Sequence, residues 1–66
     1  MSYQTPIQKS GLKVGDKVKF KDTVMVFFPF KPNQELTILE LGVSEALFVT
    51  NGVSREWISI TQIEKI

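Results

Sequence analysis

Residues 17–21 read Lys-Val-Lys-Phe-Lys, an alternation without exception. In an extended chain Val18 and Phe20 share one side and the three lysines share the other, which is the period of a half-buried β-strand. Such a strand needs partners, and the rest of the 66 residues must supply them. The chain has neither Cys nor His, so no disulfide and no common zinc site can staple so small a domain. The expectation is one all-β domain held by a single apolar core, with no metal and no cofactor.

The other elements follow in order. Residues 1–10 mix Tyr3, Pro6 and Ile7 with polar groups at no period, and read as a flexible arm ahead of a domain spanning residues 11–66. Ile7 or Tyr3 is a candidate to dock on the domain. Gly15-Asp16 marks a turn into the alternating strand. Residues 23–32, TVMVFFPFKP, form the most apolar stretch, broken by Pro29 and Pro32. Proline donates no backbone hydrogen bond, so this stretch does not suit a central strand. It reads as a short extended piece over residues 24–28 inside a long first loop, about residues 22–34. Residues 35–41, ELTILEL, are apolar on both sides near the end of a strand, which points to a bend or bulge. A helix over residues 35–47 is the alternative, opposed by Gly42, Thr37, Ile38 and Val43.

Asn51-Gly52 between two apolar runs signals a tight hairpin, because both residues tolerate the positive φ of a type I′ turn. A two-residue loop would set Ala46 opposite Trp57 and Phe48 opposite Arg55. Leu47, Val49, Ile58 and Ile60 then share one face, and Ala46, Phe48, Val53, Arg55 and Trp57 share the other. Phe48 and Trp57 would form a diagonal pair, with Arg55 placed for a cation–π contact. Residues 59–62 fit a single 3₁₀ turn before a last strand at residues 63–66. The expected core is Val18, Phe20, Leu36, Ile38, Leu47, Val49, Ile58 and Ile63.

This order resembles the SH3-like barrel. The opening, Lys13-Val14-Gly15-Asp16-Lys17-Val18-Lys19-Phe20, is similar to first strands of KOW-type and other SH3-like domains. The close, Glu56-Trp57-Ile58-Ser59-Ile60-Thr61-Gln62-Ile63-Glu64-Lys65-Ile66, is similar to their final strand, 3₁₀ turn and strand. The resemblance covers residues 13–66 and implies a small five-stranded SH3-like barrel. It places residues 23–34 where SH3 domains carry the RT loop, which grips ligands. The Ala-Leu-Tyr-Asp-Tyr stretch and acidic RT loop of peptide-binding SH3 domains are absent, so recognition of proline-rich peptides is not implied. Plasmid-type dihydrofolate reductases share the opening and closing pattern, but their Val-Gln-Ile-Tyr stretch has no counterpart.

Catalysis needs a base or nucleophile supported by a second group. Without His or Cys the usual sets are closed, and Glu45 and Glu56 read as surface carboxylates, so no enzyme is expected. No stretch approaches the ~20 apolar residues of a membrane helix, and the first ten residues hold no apolar leader segment. A cytoplasmic location fits. Residues 1–32 carry six Lys against two Asp, net +4; residues 33–66 carry one Arg and one Lys against five Glu, net −3. Two binding classes remain. The first is contact with another protein, or self-association, through Met25, Phe27, Phe28 and Phe30 with Phe48, Arg55 and Trp57, as in a small phage-encoded or accessory protein. The alternative is nucleic-acid binding through Lys13, Lys17, Lys19, Lys21 and Lys31.

Overall fold

The computed structural model describes residues 4–66. Five antiparallel strands follow one short helix: α1 (Pro6–Ser10), β1 (Lys17–Phe20), β2 (Leu36–Leu41), β3 (Ala46–Thr50), β4 (Arg55–Ser59) and β5 (Ile63–Lys65). One 3₁₀ turn, Ile60–Gln62, joins β4 to β5. The strands form a single sheet in the order β4-β3-β2-β1-β5. The sheet is open: its end strands, β4 and β5, do not pair with each other. The all-β expectation holds, and Leu36–Leu41 is strand, not helix.

The alternation at residues 17–21 sets the inner face. Val18 is opposite Leu36, and Ile38 is opposite Val49, so the apolar side of each strand meets the next. The buried core is Val18, Phe20, Leu36, Ile38, Leu47, Val49 and Ile63, joined by Ile7 and Leu12. Ile58 is half-buried against it. The bend expected in β2 is a bulge, a register shift between Ile38 and Glu40 that makes Leu39 the extra residue.

The arm expected over residues 1–10 differs in its second half; residues 1–3, including Tyr3, lie outside the described residues. Pro6–Ser10 is helical, and Ile7 is buried. Thr5 and Gln8 cap the helix reciprocally, and the Ile7 N–H donates to the Ser44 carbonyl at 3.3 Å. Helical periodicity cannot show in five residues, so the local signals were the capping box, Pro6 at the first helical position and Gly11 at the left-handed end.

The Asn51-Gly52 hairpin also departs from expectation. Thr50 pairs with Arg55, Phe48 with Trp57 and Ala46 with Ser59, so the loop has four residues, 51–54, instead of two. Asn51 does not take the positive φ of a type I′ turn; Gly52 alone does here, at 97°. The Asn51 side chain takes over the turn: its Oδ1 accepts the N–H groups of Val53 at 2.9 Å and Ser54 at 2.8 Å. The register shift is two residues, so the paired residues keep their expected faces, whereas Val53 falls in the loop and Ile60 in the 3₁₀ turn.

No strand forms at residues 24–28 of the long loop. It includes three successive turns, closed by Val24 N–H to Lys21 carbonyl at 3.0 Å, Phe30 N–H to Phe27 carbonyl at 2.8 Å, and Gln34 N–H to Lys31 carbonyl at 3.2 Å. The prolines fit such turns and not a ladder. No helix among the described residues is long and apolar enough to cross a membrane.

Candidate interaction surface

The loop divides its apolar residues between two tasks. Val24, Val26 and Phe30 pack against the core. The Phe30 ring meets the buried Phe20 edge-on, with centroids 6.0 Å apart and planes at 70°. Met25, Phe27 and Phe28 turn outward and are 77%, 72% and 97% exposed. Exposing three large apolar side chains within four residues forgoes the stabilisation of burying them, about 1.5–3 kcal/mol for each. Phe30, expected in the contact surface, is part of the anchor.

The loop is also tied at its far end. The Asn51 side-chain Nδ2 donates to the Pro29 carbonyl at 3.4 Å and to Gln34 Oε1 at 3.3 Å. Gln34 Oε1 accepts the Lys31 N–H at 3.1 Å as well. The hairpin tip therefore holds the loop that carries the exposed aromatics.

A cleft of about 260 Å³ lies between loop and sheet. Four phenylalanines, Phe20, Phe27, Phe28 and Phe30, contribute to its walls. Glu56 and Ile58 of β4 and Gln62 of the 3₁₀ turn line the other side. Gln62 is fixed by its own capping box, in which its Oε1 accepts the Ser59 N–H at 3.2 Å.

The other expected contact residues lie elsewhere. Successive residues of a strand face opposite ways, so Arg55 and Trp57 point away from the side of β4 that gives Glu56 and Ile58 to the cleft. Trp57 stands directly opposite Phe48, with ring centroids 4.9 Å apart and planes at 34°. Arg55 faces Thr50, and no cation–π contact joins it to the rings among the described residues. Trp57 is 48% exposed, and its ring closes over Gly42. A Cβ at Gly42 would stand 2.7 Å from that ring and 2.9 Å from the Ala46 carbonyl oxygen. Phe48, Arg55 and Trp57 thus form a second surface, separate from Met25, Phe27 and Phe28.

The lysines are dispersed among acids and hydroxyls. Lys19 lies 3.6 Å from Glu64, its cross-strand partner, and Lys17 donates to Thr37 Oγ1 at 2.6 Å. Lys65 lies 3.8 Å from Asp16. Lys13 and Lys31 stand in loops before β1 and between β1 and β2, and Lys21 follows β1 with its N–H bonded to the Gln62 carbonyl. No cluster of metal-ligating side chains occurs among the described residues.

Sequence reasoning missed three parts of this site: the Asn51 tether, the β4 wall and the fit of Trp57 on Gly42. Asn-Gly pointed to a turn and concealed that the Asn side chain would bond to a loop 17 residues earlier in the chain. No family model, no curated protein and no solved structure matches the chain.

Proposed function

We propose that this chain is a non-enzymatic protein-interaction module, its sheet coiled as a small SH3-like barrel, that docks on another polypeptide through Met25, Phe27 and Phe28. The observation that carries the reading is the division of labour in the loop: Val24, Val26 and Phe30 fasten it to the core, while the three exposed residues are held outward. Exposed apolar clusters on small soluble domains are usually interfaces, and aromatic side chains dominate their energetics.

The finer fold rests on topology. The strand order β4-β3-β2-β1-β5 keeps successive strands β1 to β4 adjacent and returns β5 to β1. The 3₁₀ turn is bonded toward both halves of the sheet, with Ile60 N–H to the Glu45 carbonyl at 2.7 Å and Lys21 N–H to the Gln62 carbonyl at 2.9 Å. These two bonds support reading the sheet as curved, which a small barrel needs.

The nucleic-acid alternative is less well supported, because Lys17 and Lys19 are engaged by neighbours and Glu64 lies among them. Incorporating a photo-reactive benzoylphenylalanine at position 28, and separately at the exposed position 43, tests the protein-binding reading in cells that make the chain. A discrete protein adduct from position 28 and none from position 43 is expected. No adduct, or the same pattern from both, contradicts the reading.

A further inference from the structure

We propose that the cleft beneath the loop receives a basic side chain, lysine or arginine, from the partner protein; this rests on reading the loop as a protein-contact surface. Apolar residues, four phenylalanines among them, make up most of the lining with Gln62, and Glu56 is the one charged residue. No lysine or arginine of this chain lines the cleft. A cationic complement to Glu56 in the cleft would therefore come from a partner.

The chemistry of the walls selects the occupant. Aromatic ring faces carry negative potential and attract a cation. A carboxylate beside them adds to that attraction, the more so as water is displaced. A long basic side chain satisfies both demands, because its alkyl stem packs on apolar groups while its head reaches a polar one. Glu56 Oε1 accepts the Trp57 N–H at 3.3 Å, and a neutral or acidic occupant would displace water from the carboxylate without supplying a counter-charge, which is unfavourable. The size agrees: about 260 Å³ suits one long side chain, whereas drug-sized ligands occupy roughly 300–1,000 Å³. The Phe30 side of the cleft is held in advance by the Phe20–Phe30 edge contact and by the Asn51 bond to the Pro29 carbonyl, while Phe27 and Phe28 stand at its exposed rim.

The test is an NMR titration of the full chain with capped pentapeptides Ala-Leu-X-Leu-Ala, where X is arginine, lysine, citrulline or norleucine. The arginine and lysine peptides should shift the amides of Phe27, Phe28, Ile58 and Gln62. The neutral peptides should bind about fivefold more weakly. Glu56 is exposed, so Glu56→Gln should stay folded, and it should remove the preference for the basic peptides. Equal binding of norleucine and basic peptides overturns the proposal, as does no shift with any peptide up to about 10 mM. Either result, obtained while the position-28 cross-link persists in Glu56→Gln, leaves the contact surface standing and removes only its basic ligand. Loss of that cross-link from the unmodified sequence removes the surface itself.

Discussion

The side-chain amide of Asn51 donates to Gln34 Oε1 across 3.3 Å, joining the hairpin tip to the end of the long loop. The same side chain organises its own turn through Oδ1. The two roles separate chemically. Asn51→Asp keeps the acceptor and loses the donor, so it should leave the β3–β4 register intact while releasing residues 29–34. Hydrogen exchange should speed up in that segment alone, with a stability loss of about 1 kcal/mol. Uniform loss of protection across β3 and β4 would show that the tether is not a separable part.

Gly42 is where Trp57 needs a missing side chain. In Gly42→Ala the new Cβ would meet the ring at 2.7 Å and the Ala46 backbone oxygen at 2.9 Å, and the backbone atom cannot swing away. The substitution should cost about 1–3 kcal/mol by overpacking and should shift the tryptophan emission as the ring lifts. Unchanged emission and melting temperature would mean that the strands adjust without moving Trp57.

The exposed ion pair Lys19–Glu64 contributes little on its own. Glu64→Gln should change stability by less than about 0.5 kcal/mol. Its larger consequence concerns nucleic acid. Binding of single-stranded oligothymidine should be weak, and neutralising Lys17 and Lys19 together should alter it little. Affinity that falls steeply with salt and collapses in that double variant would favour the nucleic-acid alternative instead.

The inner face was legible because it rests on local alternation. Val18 and Phe20 in β1, Leu36 and Ile38 in β2, and Leu47 and Val49 in β3 each announce a buried side two residues apart, and all six are buried. The faces of the hairpin survived a wrong loop length, since a two-residue slip preserves parity. What was not legible depends on distant partners. Ile7 enters the core through a bond to Ser44, and Asn51 spends its amide on Gln34 instead of on a type I′ turn. Which of the loop's apolar residues point outward was hidden for the same reason. Its turns do not follow the period of a strand, so Phe28 and Phe30 look equivalent in sequence and differ in place.

That difference can be measured. Phe30→Ala removes an edge contact with Phe20 and part of the core cover, and should lower stability by about 2 kcal/mol. Phe28→Ala touches a fully displayed ring, and its stability should stay within about 0.5 kcal/mol of the parent.

The most direct measurement is the yield of a cross-link from benzoylphenylalanine at position 27 in the Phe28→Ala chain, compared with the parent under conditions where both are folded. The division of the loop into anchor and contact predicts that the adduct is largely lost while the melting temperature is kept. An adduct of undiminished yield, or a chain that unfolds when Phe28 is removed, would contradict it.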